Sequence, residues 1–158
     1  MKNTAHLSPC RTYRYALWRT WDDNLPPVMF IGLNPSTADE QQDDPTLRRC
    51  INFAKSWGYG GVIMANLFAF RATDPAHMKQ AEDPVGPQNN RWLRKLAQQS
   101  ALVVAAWGND GDYRQRATQV CQRIANLHCL KINGSGAPGH PLYQRANCQP
   151  LPYAPKQR

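Results

Sequence analysis

Four short segments of this sequence place polar side chains directly after apolar runs. They are Gly32-Leu33-Asn34-Pro35-Ser36, the segment that ends in Asn66, Trp107-Gly108, and the loop that contains His140. An amide such as that of Asn66 can both donate and accept hydrogen bonds, which suits it to reading the edge of a nucleobase. A histidine can donate to an oxygen that becomes negatively charged in a reaction. Together these residue types favour a site for a polar ring.

Each of these residues also has an ordinary structural explanation. Asn66 is typical of a turn at the end of a strand, and a single histidine in a loop is often inert. Trp107 is more typical of a core than of a ligand platform. Arg48 and Arg49 are typical of a solvated helix face. The residues taken singly therefore leave both interpretations open.

The elements that must position these residues alternate along the chain. Four apolar runs predict buried strands: Val28–Gly32, Val62–Leu67, Leu102–Ala106 and Cys129–Ile132. Helices are predicted between them, beginning near Asp44, Asp74, Asn89 or Asn90, and Asp112. This alternation predicts an α/β fold, a three-layer sandwich around a mainly parallel four-stranded sheet. The alternating stretch Cys10–Trp21 predicts an additional N-terminal edge strand.

The predicted sheet explains why the polar loops belong together. In an open parallel sheet, ligands bind beyond the carboxyl ends of the strands. Every one of the four loops follows the carboxyl end of a predicted strand, so all four should meet at one edge of the sheet.

The charge and hydropathy of the chain limit the classes of partner that we expect. The formal net charge is +8, from 19 Lys and Arg against 11 Asp and Glu. An arginine-rich basic domain fits a polyanion, nucleic acid above all, although a basic surface kept for solubility explains the charge as well. No apolar stretch approaches the roughly 20 residues that cross a bilayer. We therefore expect no membrane association, a cytoplasmic location and a monomer.

The length of 158 residues fits a single domain over 1–158, with residues 1–8 and 154–158 expected to fray. The five cysteines include no C-x-x-C pair, so we expect free thiols, no metal and no cofactor. Three of them, Cys121, Cys129 and Cys148, could meet in space, but an iron–sulfur cluster usually needs four thiolates.

Taken together, the four loops resemble the motifs of the uracil-DNA glycosylase superfamily. The matching segments are Gly32-Leu33-Asn34-Pro35, Ile63-Met64-Ala65-Asn66-Leu67, Ala105-Ala106-Trp107-Gly108 and His140-Pro141-Leu142. Over nearly its whole length the chain looks closer to domain of unknown function 1643, a bacterial and phage family with no established reaction. The segments that carry this second resemblance are Cys10–Tyr15, Asn34–Asp39, Asp43–Thr46, Asn66–Pro75 and His140–Tyr143.

The superfamily resemblance implies a DNA glycosylase-like hydrolase that cleaves the N-glycosidic bond of a flipped, damaged or modified base. By this resemblance Asn34 would hold the attacking water, Asn66 would read the base, and His140 would stabilise charge on the base oxygen. Leu142 or Tyr143 would fill the gap in the stack. Further residues assigned to substrate binding are Gly32, Pro35, Ser36, Phe68, Arg71, Trp107, Gly108 and Pro141.

Relatives with high activity carry an aspartate where this chain has Asn34. An amide cannot take a proton, and general acid–base help is worth about 10²–10⁴-fold, so the resemblance predicts a slow enzyme. Asp39 is a candidate to supply the missing carboxylate, as are Asp43 and Asp44, although Asp44 is also explained as a helix cap. Two alternatives remain from the sequence: a non-catalytic module that binds DNA or a nucleotide, and a nucleoside hydrolase that uses the same pocket.

Overall fold

One mixed sheet of seven strands organises the residues that this computed structural model describes, residues 1–154. The strands are β1 (Lys2–Leu7), β2 (Arg14–Thr20), β3 (Pro27–Gly32), β4 (Gly61–Asn66), β5 (Leu102–Ala105), β6 (His128–Cys129) and β7 (Leu151–Pro152). Their order across the sheet is β1-β2-β4-β3-β5-β6-β7. The neighbours among β4, β3, β5 and β6 pair in parallel, whereas β1 with β2, β2 with β4, and β6 with β7 pair antiparallel.

The α/β class predicted from the sequence is confirmed, but the strand count is wrong, because the sheet has seven strands rather than four and an edge strand. The predicted N-terminal edge strand is β2, and it lies inside the sheet because β1 covers its outer side. Of residues 1–8, which are expected to fray, Lys2–Leu7 form β1 and pair with β2. β1 is mostly exposed and has no apolar periodicity to signal it. Residues 155–158 lie outside the described part of the chain.

Helices cover both faces of the sheet. α1 (Pro45–Ser56) packs on one face, where Leu47, Phe53 and Ala54 belong to the same buried cluster as Phe30 and Met64. The other face is covered by α2 (Pro75–Gln80), α3 (Asn89–Gln98) and α4 (Arg116–Arg123). The strand residues that alternate with Phe30 along β3 face this second layer, as expected from the two-residue period of a strand.

The helix predicted to begin at Asp112 starts later. A 3-10 helix spans Asn109–Gln115 and α4 begins at Arg116, because Arg114 and Gln115 adopt positive φ values of 53° and 57° and interrupt the helical path. A second 3-10 helix spans Pro141–Tyr143. None of the helices in residues 1–154 is long and apolar enough to cross a bilayer.

The connections that follow β3 and β4 run in opposite directions across the sheet. After β3 the chain passes to β4 on one side, and after β4 it crosses to β5 on the other side. Where neighbouring connections leave a parallel sheet in opposite directions, a crevice opens beyond the carboxyl ends of the strands. This topology places the ends of β3, β4 and β5 around one crevice.

The loop after β5 packs closely against the Trp107 indole at Gly111. A Cβ at Gly111 would lie 2.1 Å from Cδ1 of Trp107, so Gly111→Ala forces either the indole or the loop to move. We expect the free energy of unfolding, measured by urea denaturation, to fall by about 1–3 kcal/mol. Gly134→Ala is the control, because a Cβ there meets nothing within 4 Å. Equal stability of the two variants would contradict the packing described here.

Candidate active site at the carboxyl edge of the sheet

A cavity of about 610 Å³ occupies the crevice beyond β3, β4 and β5. Loops from all three strands and from the segment after β6 line it, as expected from the sequence. The residues predicted for the site that line this cavity are Gly32, Asn34, Pro35, Ser36, Asn66, Trp107, Gly108, His140, Pro141, Leu142 and Tyr143. Eleven of the fourteen predicted site residues are therefore brought to one place.

Asn66 lines the cavity with a buried side-chain oxygen that has no hydrogen-bond partner among residues 1–154. It is the last residue of β4 and is 4% exposed, and its Oδ1 accepts no hydrogen bond from the described residues. Its backbone is nevertheless fixed, because Nδ2 of Asn89 donates to the Asn66 carbonyl at 2.9 Å. A buried polar atom left unpaired costs about 1–3 kcal/mol, and a ligand that donates to Oδ1 would remove this cost.

Gly32 lies directly beside the Asn66 amide. The two residues are register partners at the ends of β3 and β4. A Cβ at Gly32 would lie 3.4 Å from Nδ2 of Asn66, which is an ordinary van der Waals contact. The glycine that precedes Asn34 in the sequence thus shapes the same part of the cavity.

Asn34 holds its loop in place through its amide donors. Nδ2 donates to the carbonyl of Ala72 at 2.8 Å and to that of Pro35 at 3.3 Å. The backbone N–H of Ala72 in turn donates to the carbonyl of Pro35 at 3.0 Å. Because both bonds use Nδ2, the side-chain oxygen is the atom of Asn34 that remains to accept a hydrogen bond from a ligand or a water.

His140 is held as a neutral hydrogen-bond donor. Its Nδ1 accepts from the N–H of Leu142 at 3.2 Å, which assigns the proton of the neutral ring to Nε2. Burial lowers the pKa of His140, and the nearby Asp44 carboxylate offsets this only in part. His140 is thus suited to donate a hydrogen bond to a ligand oxygen without carrying a charge itself.

Trp107 forms a buried wall of the cavity and is 2% exposed. Gly108 follows at a φ of 73° and a ψ of −167°, a backbone conformation that is essentially restricted to glycine. At the rim, Leu142 is 43% exposed and Tyr143 is 84% exposed. Two large exposed side chains therefore stand at the entrance of the cavity.

The structure does not bring Asp39, Phe68 and Arg71 to this cavity. Oδ1 of Asp39 accepts from the N–H groups of Gln41 and Gln42, both at 2.8 Å, and these bonds lower the pKa of Asp39. Phe68 is fully buried in the core. Asp39 and Arg71 instead line a neighbouring open groove, which shares Ser36, Ala72 and Thr73 with the cavity.

Sequence reasoning missed Arg14, and it named Asp44 both as a helix cap and as a candidate carboxylate of the site. Asp44 does cap α1, with Oδ1 accepting from the N–H of Leu47 at 2.8 Å, and it also lines the cavity. Arg14 lines it too, although it is only 5% exposed. The signal that locates Arg14 is the antiparallel direction of β2, which puts the first residue of β2 at the edge where β4 ends.

The cysteines do not form a metal centre in the described part of the chain. All five are free, and within residues 1–154 no group of three or more His, Cys, Asp or Glu side chains is arranged to hold a metal ion. The suggested meeting of Cys121, Cys129 and Cys148 is therefore not observed as a ligand set.

The lowered pKa of His140 predicts a pH-dependent stability. The unfolded state takes up a proton near the ordinary histidine pKa of 6.5, whereas the folded state resists it, so the folded state binds fewer protons in this range. The free energy of unfolding of the wild type, minus that of His140→Gln, should then fall as the pH drops from about 8 to about 5. Urea denaturation of both proteins between about pH 5 and about pH 8 measures this difference in the free energy of unfolding. A difference that grows toward low pH would mean that the folded state favours the charged ring.

Comparison with known proteins gives one match. The family described as Protein of unknown function (DUF1643) matches residues 14–142, a range that contains β2 and every cavity residue except Tyr143. No curated protein matches the chain, and no solved structure does. Since the match spans well over half of its length, the chain belongs to the DUF1643 family.

Proposed function

We propose that the cavity binds a nucleobase extruded from DNA and that the protein hydrolyses its N-glycosidic bond. The observation that carries this proposal is the unpaired, buried amide of Asn66 in a cavity that also holds a neutral histidine donor. An amide that can donate and accept matches the mixed edge of a base. The resemblance of the four cavity loops to uracil-DNA glycosylase motifs supports the same chemistry.

In the proposed reaction a water molecule replaces the base at C1′ of the sugar. The bond between the base nitrogen and the sugar C1′ breaks, and its electron pair leaves with the base. A water oxygen bonds to C1′, one proton of that water is released, and the base takes up one proton. His140 would donate through Nε2 to the oxygen of the departing base, where negative charge develops. Oδ1 of Asn34 would accept a hydrogen bond from the attacking water.

Of the three carboxylates considered as a substitute base, only Asp44 lines the cavity. Asp43 forms an ion pair with Arg19 at 2.9 Å, and Asp39 is bonded to backbone N–H groups. Asp44 itself accepts from two backbone N–H groups, those of Leu47 and Ala38. Both oxygens of Asp44 are thus engaged by the backbone, so the proposal includes a slow chemical step.

Base release from a panel of DNAs that contain uracil, mismatched bases or modified bases tests the proposal. We expect release of at least one base by the wild type, and a loss of about 10²–10³-fold in rate for His140→Ala. Asn66→Ala should lose both rate and discrimination between bases. His128→Ala is the matched control, because His128 lies at the start of β6 and does not line the cavity.

The outcomes separate the candidate functions. Binding of DNA without release of any base, unchanged by His140→Ala, would leave a binding module and overturn the hydrolase. Release from free nucleosides at rates equal to those from DNA would favour a nucleoside hydrolase.

The exposed rim gives a separate prediction about strandedness. Tyr143 stands at the entrance, 84% exposed, with its ring 5.5 Å from that of His140. If it fills the space that a flipped base leaves, Tyr143→Ala should lower release from duplex DNA more than from single-stranded DNA, because only the duplex has a stack to restore. The ratio of the two rates is the readout. An equal loss on both substrates would assign Tyr143 to the cavity wall rather than to the duplex.

A further inference from the structure

We propose that Arg14 forms an anion-binding subsite in the cavity wall, so that the ligand of this cavity carries a phosphate group. The inference deepens the proposed function, because it adds a charged group to the substrate of the same cavity. It concerns binding alone and does not require that any base be released.

Arg14 reaches the cavity because of the direction of β2. β2 pairs antiparallel with β4, from Leu17 with Met64 to Thr20 with Gly61. The amino end of β2 therefore lies at the edge where β4 ends, and the N–H of Arg14 donates to the carbonyl of Ala69 beyond that end, at 3.0 Å. The side chain is 5% exposed and lines the same cavity as Asn66 and His140.

The guanidinium of Arg14 is only partly used by the protein. Nη1 donates to the carbonyl of Ala38 at 2.8 Å, and no carboxylate of residues 1–154 lies within ion-pair distance. A guanidinium has five N–H donors in a planar fork, so several remain for a ligand. Burial lowers the pKa of Arg14 to about 10, and the group therefore stays charged near neutral pH.

Arg19, in the same strand, is a buried arginine whose guanidinium donors are used within the protein. It is fully buried, forms an ion pair with Asp43, and donates to the backbone carbonyls of Trp18, Asp39 and Gln42. Arg116 is a second comparison, because it is 1% exposed and no described carboxylate lies within ion-pair distance of it, but it does not line the cavity. Arg14 alone among these three combines burial, free donors and a cavity.

Asp44 does not cancel the charge of Arg14. Its carboxylate lies close enough to favour the charged guanidinium, but both of its oxygens accept backbone N–H groups at and before the start of α1. Arg19 and Arg71 act on Arg14 as further positive charges, and Asp39 as a further negative one. An anion at Arg14 would complete a set of charge-assisted hydrogen bonds that the protein leaves open.

A phosphate is the anion that fits a nucleobase cavity of this size. Ligand cavities of about 300–1,000 Å³ hold drug-sized molecules, and a volume of about 610 Å³ exceeds what a base alone fills. The arginine fork binds phosphate through two parallel hydrogen bonds. The phosphate can belong to a mononucleotide or to the DNA backbone, and the test below separates these two sources.

Calorimetric titration of the wild type with the common nucleosides, their 5′-monophosphates and inorganic phosphate tests the subsite. We expect at least one monophosphate to bind about tenfold or more tightly than its nucleoside. Arg14→Gln should abolish this ratio, whereas Arg48→Gln, which removes the same charge from an exposed position, should retain it. A short single-stranded oligonucleotide of the same base, without terminal phosphates, supplies the phosphate as a backbone diester. If it binds as tightly as the monophosphate, the source is DNA, and if it binds much more weakly, the source is a mononucleotide.

Equal affinities for nucleoside and monophosphate in the wild type, or no binding of either, would overturn the inference, as would a ratio that survives in Arg14→Gln. If Arg14→Gln does not fold, competition in the wild type decides: inorganic phosphate should displace the monophosphate and leave nucleoside binding unchanged, and failure to displace it overturns the subsite. Base release by Arg14→Gln at the wild-type rate would refute the subsite while leaving the proposed hydrolase intact. Phosphate-dependent binding without base release would refute the hydrolase while leaving the subsite intact.

Discussion

The segments that follow β3 and β4 stay hydrogen-bonded to each other after the sheet ends. The N–H groups of Leu67 and Phe68 donate to the carbonyls of Gly32 and Leu33 at 2.9 and 3.0 Å, and the Asn34 amide bonds the Ala72 carbonyl beyond them. Two loops that a parallel sheet would leave independent are thereby fixed as one unit. The position of Asn66 beside Gly32 and the use of the Asn34 donors both follow from this pairing.

Buried side chains also hold the backbone at the carboxyl end of β4. Nδ2 of Asn89 donates to the carbonyls of Asn66 and Leu67 at 2.9 and 3.0 Å, and Nε of Arg116 donates to that of Leu67 at 2.7 Å. The backbone of the β4 end is thus satisfied by buried side chains, while Oδ1 of Asn66 is left without a partner in the described structure. A rigid backbone with an open side-chain amide is a preorganised arrangement, which lowers the cost of ordering the site when a ligand binds.

The sequence predicted the convergence of Asn34, Asn66, Trp107 and His140 because all four follow carboxyl ends of apolar runs, and parallel strands bring such ends to one edge. The parts that it did not predict have identifiable causes. β1 carries no apolar periodicity, since most of its side chains are exposed, and its strand conformation comes from pairing with β2. Arg14 precedes an apolar run rather than following one, so a search of carboxyl ends could not find it. Asp39 follows Asn34 closely along the chain, and for this reason the sequence assigns it to the site. In the structure its side chain instead accepts a hydrogen bond from the backbone of its own turn.

A crystal structure of the protein with a nucleobase or nucleotide bound tests the central claim, that the open amide of Asn66 reads a base. The ring should lie in the cavity with one polar atom donating to Oδ1 of Asn66 and an oxygen accepting from Nε2 of His140, both at ordinary hydrogen-bond distances of about 2.7–3.2 Å. A ligand that binds elsewhere at saturating concentration, or that enters the cavity and leaves Oδ1 of Asn66 unpaired, would contradict it.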